Sequence, residues 1–200
     1  MGWGDLPVFR LKQVHGKRVL TLDGPGAGPS RREEGDGLAT ARRGIVVVVA
    51  AADCVPLILF DPRNRAGAVL HAGWRGTLGA IAAEGVRALR EGWGGRPSDL
   101  LALIGPSVGP CCYSVGGEVV QAFLDAGPSG APLGRQDSGA FHLDLPALNR
   151  FQLERAGLEP GRILTAGLCT SCRADLFPSY RREGPKAGRL LAFLGSAPSP

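Results

Sequence analysis

The sequence predicts a mixed α/β sandwich of the α+β class. It is expected to be a single domain over residues 1–200, with mixed sheets flanked by helices and a core from about 8 to 195. Three observations carry that expectation. Strand-sized apolar runs crowd the first third of the chain, as in "GIVVVVAAADC" and "VPLILF". Short turns such as "DPRNR" join several of them, which suits antiparallel neighbours and disfavours a purely doubly wound sheet. Apolar residues at helical spacing enter only from Thr77 onward.

Element by element, Val8 to Leu22 alternates loosely about Gly16 and reads as strand, turn, strand. Pro25 to Gly37, rich in Gly, Pro and charge, reads as a surface loop. The β-branched run after Gly44 suggests a strand buried on both faces, ending at Asp53-Cys54. "VPLILF" and "AGAVLHAG" follow as strands, the second ending at His71. Leu78, Ile81, Ala82, Val86 and Leu89 mark a helix from Thr77, its expected N-cap, to Trp93. "LLALIG" is a strand, "PSVGPCCYSVG" a loop, and Val119 to Ala126 a helix. After a polar loop over 127–140, Asp144 with Pro146 announces a helix to about Ala156. "RILTAG" is a short strand, "LCTSCRADLFPSYRREG" a long loop, "RLLAFL" a closing strand, and 195–200 a frayed tail.

The composition, 44% hydrophobic and 20% charged, is that of a soluble globular chain. No apolar run approaches the roughly 20 residues of a membrane helix. The N-terminus lacks a basic segment followed by a long apolar core, so a cytoplasmic location is expected. Five cysteines, two of them adjacent, fit reduced thiols better than a disulfide framework. The net charge of +5 comes largely from arginine; it reflects either GC-rich coding or a site that attracts anions. Aromatic residues do not interleave with the basic ones, which argues against nucleic-acid binding.

The reactive residues sit at strand edges. If the strands bounded by Cys54 and His71 are antiparallel neighbours, both residues reach one edge of the sheet, and His15 lies at another strand end. One thiolate and two imidazoles suit Zn²⁺ and leave a fourth position open, the mark of a catalytic site. Spacing alone leaves a second reading open, with hydrogen-bonded structural histidines and Cys54 as a small core filler. His142, before the proposed cap, reads as structural. Cys169 and Cys172 have the spacing of half a zinc ribbon, with Cys111 and Cys112 as the available further thiolates; a redox pair lacks a thioredoxin-like context. Arg75, in a Gly-flanked turn, and Arg181 and Arg182 are guanidinium forks suited to phosphate or carboxylate, or else solvated loop residues.

"KQVHG", "GDGLAT", "AADCVPLILFDP", "VLHAGWRGT", "IGPSVGPCCYSVGGEV", "HLDL" and "SYRREG" occur in that order. Together they resemble the bacterial laccase-domain family, known as polyphenol oxidase, peptidoglycan editing factor or purine nucleoside phosphorylase. The resemblance runs from Gln13 to Leu194. It implies that His15, Cys54 and His71 bind one zinc ion, with copper able to replace it in vitro. It also implies phosphorolysis of adenosine, inosine and methylthioadenosine, with adenosine deamination as a second activity. The expected partners are a purine nucleoside and phosphate. For deamination the metal would activate the water that adds at purine C6, and Asp53 could orient it or relay a proton. For phosphorolysis, Arg75 with Arg181 or Arg182 would hold phosphate against C1′. The rivals are a zinc-dependent amidase or editing hydrolase acting on a cell-wall precursor, and an inactive metal-stabilised binding module. A multicopper oxidase needs many more imidazoles than the three histidines here. Two departures stand out: family members carry a further N-terminal segment before "QVHG", whose substrate contacts are expected to be absent or replaced. Their "FFSYRR" reads "FPSYRR" here, with Pro178 stiffening the loop.

Overall fold

The computed structural model describes residues 6–23, 28–29, 32–137 and 139–197. In chain order its strands are β1 (Val8–Phe9), β2 (Val19–Leu22), β3 (Gly37–Thr40), β4 (Ile45–Ala51), β5 (Val55–Asp61), β6 (Ala66–Ala72), β7 (Leu101–Ile104), β8 (Ser114–Val115), β9 (Gly134–Asp137), β10 (Ala140–Leu143), β11 (Ile163–Thr165) and β12 (Leu190–Ser196). The helices are α1 (Trp74–Leu78), α2 (Ile81–Trp93), α3 (Gly117–Ala126), α4 (Leu145–Arg155) and α5 (Tyr180–Glu183).

A six-stranded mixed sheet in the order β11-β7-β5-β6-β3-β2 forms the centre. The sheet β1-β4-β12 packs on one of its faces, and α2 and α4 cover the other. Side chains alternate accordingly along each strand. Leu57, Leu59, Ala68 and Leu70 join the helical core with Ile81, Leu89 and Leu148. Leu38, Ile58 and Val69 meet Ile45, Val47, Val49 and Leu194 between the sheets. Covered on both faces and paired on both edges, β6 is buried at every residue. A small separate sheet, β8-β10-β9, packs onto the helical core through Val115, Phe141 and Leu143.

The α+β expectation holds, and several elements differ from the sequence reading. The segment Val8–Leu22 is not a hairpin: β1 pairs with β4 in one sheet, and β2 with β3 in the other, both in parallel. "GDGLAT" lies inside the protein; Gly35 and Asp36 are buried and lead into the unexpected strand β3. Its short length and small residues hid it. Thr77 does not cap a helix. It is buried within α1, where its hydroxyl accepts from Asn149 Nδ2 at 2.9 Å and its carbonyl from Gln152 Nε2 at 2.6 Å. The chain breaks after Leu78 and restarts at α2 behind Ala80, which sits in left-handed backbone. The 127–140 loop contains β9, and Gly195 and Ser196 extend β12 against Val46 and Ile45 instead of fraying. Asp144 does cap α4, accepting from the Ala147 N–H at 2.9 Å. Residues 1–5, 24–27, 30, 31, 138 and 198–200 lie outside the described residues, and parts of the expected 25–37 and 127–140 loops and of the 195–200 tail fall among them. Among the described residues no helix is long and apolar enough to cross a membrane.

The packing around Leu70 is tight: a methyl group built on Gly85 or Gly37 would lie 2.5 or 2.6 Å from its side chain. Leu70→Ala is expected to lower unfolding free energy by about 2–5 kcal/mol, read by chemical denaturation.

Candidate metal centre

The antiparallel pairing of β5 and β6 brings Cys54 and His71 together. Val55 pairs with Ala72 and Pro56 with His71, so Cys54, just before β5, meets the end of β6. His71 is two residues beyond Val69 and so points to the side facing the three-stranded sheet. His15 arrives from the loop between β1 and β2 in left-handed backbone, φ 61°. The candidate ligand atoms of His15, Cys54 and His71 all lie within 4.8 Å of one another. The two imidazole rings meet edge-on, 4.9 Å between centroids.

Asp36 holds this arrangement. Its carboxylate accepts backbone N–H bonds from Val14 at 3.2 Å, His15 at 2.9 Å and Gly16 at 2.7 Å. It also lies 2.9 Å from His71 Nδ1. A carboxylate already accepting three N–H bonds accepts here too, so Nδ1 carries a proton and Nε2 is the nitrogen that would take a metal, giving up its own proton as it does so. Burial opposes the charge on Asp36, but the bonds from His71, Gly16 and Val14 prevail and hold its pKa below the usual carboxylate value. Burial likewise works against an imidazolium at His71, and the Asp36 and Cys54 partners overcome it, raising His71 to about 9. Burial would raise Cys54, but bonding to His15 and His71 brings its thiol down to about 7. A deprotonation-ready thiol, an imidazole of fixed tautomer and a second imidazole within reach form a donor set that fits a divalent ion.

The glycines of "HAGWRGT" make the approach possible. A Cβ on Gly73 would stand 3.0 Å from both Cys54 Sγ and the His15 ring, and one on Gly76 only 2.8 Å from the Gly16 carbonyl. Side chains at these two positions would push the His15 loop off the site.

The three residues open onto a cavity of about 910 Å³, also lined by Gln13, Asp53, Trp74, Arg75, Tyr113 and Arg181. Arg75 lies on α1 instead of a turn, exposed and stacked on Trp74 at 4.4 Å, with no ion-pair partner among the described residues. Arg181 also reaches the cavity; its guanidinium lies 5.3 Å from the Tyr113 ring and donates to the Ser114 carbonyl at 2.6 Å.

The remaining expected site residues are placed differently. Asp53, in left-handed backbone at φ 83°, touches the cavity with its carboxylate already engaged. It accepts from the Thr170 hydroxyl at 2.6 Å and the Arg181 N–H at 2.5 Å. It therefore ties the cavity rim instead of presenting a free base. Arg182 is absent from the cavity wall. Its guanidinium donates to the carbonyls of Thr170, Ser171 and Phe177 and pairs with Glu183, which organises the loop before α5. Pro178 leaves that turn intact: Ser179 still caps α5, accepting from the Arg182 N–H. Asp36, Gln13 and Tyr113 escaped the sequence reading. Gln13 clamps the Ala50 backbone with both amide atoms, at 2.7 and 2.8 Å. Asp36 was hidden because "EEGDG" has the Gly and acidic composition of an ordinary surface loop. Tyr113 had no signal beyond its neighbouring cysteines.

A mixed-sheet sandwich with one thiolate and two imidazoles at the mouth of a cationic cavity defines a class of candidate metalloenzyme. Residues 2–197 match the family described as "Multi-copper polyphenol oxidoreductase laccase", and the chain belongs to that family. It is 36% identical to "Purine nucleoside phosphorylase YlmD" of Geobacillus stearothermophilus, across 96% of this chain and 74% of that one. It is 39% identical to "Adenosine deaminase RL5" of an unknown prokaryotic organism, across 80% and 60% respectively. The crystal structure of the Bacillus licheniformis hypothetical protein YfiH superimposes with a TM-score of 0.86 at 32% identity, covering 94% of this chain and 74% of that one.

Asp36→Asn keeps the side chain's shape and removes its charge. It is expected to weaken divalent-metal binding by about 10–100-fold, measured by competition with a chromophoric chelator.

Proposed function

We propose that the protein is a zinc-dependent purine nucleoside phosphorylase that acts on adenosine, inosine and methylthioadenosine, with adenosine deamination as a second activity. The observation that carries this reading is the placement of Arg75, without an ion-pair partner among the described residues, on the same cavity wall as His15, Cys54 and His71. A cavity that joins a fixed cation to a one-thiolate, two-imidazole set suits a substrate pair of phosphate and an uncharged nucleoside. The names of the relatives, purine nucleoside phosphorylase and adenosine deaminase, point the same way.

His15, Cys54 and His71 would hold the zinc ion, which when bound supplies a Lewis acid at its open position. Arg75, with Arg181 on the same cavity, draws phosphate in and holds it by two-point hydrogen bonding. A phosphate oxygen adds to C1′ of the ribose while the C1′–N9 bond breaks and its electron pair passes to the purine. The sugar carries positive charge at the transition state, so positioning of the anion is the main demand on the protein. Burial, with the charge on Cys54, pushes Tyr113 up to about 12, so its phenol remains a hydrogen-bond donor toward the bound nucleoside. Asp53 serves by keeping Arg181 and the Thr170 loop in place. Arg182 has no role at the phosphate.

Zinc-loaded protein incubated with adenosine is expected to release adenine and ribose 1-phosphate only when phosphate is present. Inosine formed without phosphate dependence would support deamination alone. No turnover with the metal retained would favour the editing-hydrolase or binding-module reading. His71→Ala is expected to lose the metal held with His15 and Cys54, and turnover with it. Arg75→Ala should keep the metal and lower kcat/KM for phosphate by about tenfold to a hundredfold, the worth of one charge-assisted contact. Unchanged phosphate kinetics in that variant would remove Arg75 from the mechanism.

A further inference from the structure

The sulfur atoms of Cys111, Cys112, Cys169 and Cys172 form a second cluster outside the cavity wall, all within 4.8 Å of one another. Cys111 and Cys112 lie in the loop between β7 and β8, Cys169 and Cys172 in the loop between β11 and α5. We propose that these four cysteines form a second, structural zinc site that fastens the two loops together.

The spacing fits a metal better than disulfides. Four sulfurs at about 2.3 Å from a tetrahedral zinc stand about 3.8 Å from each other. Cys172 Sγ lies 3.6 Å from Cys111 Sγ and 3.4 Å from Cys112 Sγ, so it has no single partner. A disulfide between any two would bring them to about 2.0 Å and leave the other two thiols without a role. The local backbone is arranged for thiolate charge. The Gly109 N–H donates to Cys169 Sγ at 3.3 Å, and the Cys172 backbone N–H is directed to the same sulfur. Arg182 adds positive charge by binding the carbonyls of Thr170 and Ser171, which lie between Cys169 and Cys172. Four protein sulfurs complete a tetrahedron with no position left for substrate, so the site is structural.

Its place in the fold gives it a task. The two loops already run side by side: Ser107 and Cys169 form a bridge, backbone bonds run from Ser107 to Leu168 and from Thr170 to Ser107, and the Gly109 N–H reaches Cys169 Sγ. Residues next to the cysteines shape the other site. Tyr113 follows Cys112 and lines the cavity; Thr170 follows Cys169 and holds Asp53, which in turn holds Arg181. An ion among the four sulfurs fixes the rim on which Tyr113 and Arg181 stand.

The test uses the full chain purified under reductant and loaded with zinc alone, in the His71→Ala background, so that metal content reads the second site whatever the fate of the proposed catalytic centre. One zinc per chain is expected there, falling to none when Cys169→Ser and Cys172→Ser are added. Because those serines could disturb folding, Co²⁺ loaded into His71→Ala protein provides the second readout. It should give the visible bands of tetrahedral cobalt with sulfur-to-metal charge transfer, both erased by one equivalent of zinc. Chelation should lower the melting temperature of the same protein and expose four additional thiols to a thiol reagent. Zinc-free His71→Ala protein, zinc retained by the added serine variant, iron in place of zinc, or a chain lighter by two hydrogens through a disulfide would each overturn the proposal.

Discussion

The candidate centre depends on the carboxylate of Asp36. It is buried and charged, and among the described residues its hydrogen bonds come from groups that belong to the site: three successive backbone N–H groups of the Val14–Gly16 turn and the Nδ1 of His71. A buried carboxylate without partners would cost several kcal/mol, so the fold and the site stabilise each other through one group. The same bonds bring His15 to His71, keep a proton on His71 Nδ1 and turn its other nitrogen toward Cys54. The glycine on each side of Asp36 is equally constrained. A methyl on Gly35 would run into Leu11 and Leu20, and one on Gly37 into Leu70 and Val19.

The parts of this arrangement legible in the sequence were those set by local pattern. The β-branched run at Ile45 announced β4, while the "VPLILF" strand, the Asp-Pro turn and the strand ending at His71 suggested the antiparallel pair that β5 and β6 form, bringing Cys54 to His71. Long-range pairing was not legible. Nothing near Val19 announces that β2 runs parallel to β3, or that β1 leaves for the other sheet, because parallel partners are joined through distant chain. Thr77 shows a local signal overridden by tertiary structure: its hydroxyl and carbonyl are both taken by α4. The resemblance to laccase-domain proteins correctly placed the chain in its family, while the roles of individual side chains depended on their partners. Asp53 and Arg182 look reactive in the sequence, yet their polar atoms are engaged in holding loops.

A division of labour follows. Strands β5 and β6, buried and closely packed, present Cys54 and His71 from the rigid part of the molecule, where a ligand set can keep its geometry. The other cavity-lining residues stand on short elements: Arg75 on α1, Arg181 on α5, Tyr113 at the end of a cysteine-bearing loop. These elements are too short to be stable alone and are held by side-chain bonds across the rim. With only three histidines in the chain, and His142 on β10, the site has the imidazoles for one ion and not for a multicopper array.

Anomalous diffraction at the zinc absorption edge, from crystals of the full chain grown with zinc, tests the central claim most directly. A strong peak is expected between Cys54 Sγ, His71 Nε2 and a ring nitrogen of His15, at about 2.3 Å from sulfur and about 2.0–2.1 Å from nitrogen. No peak between these three residues, with Asp36 still bound to His71, would contradict it.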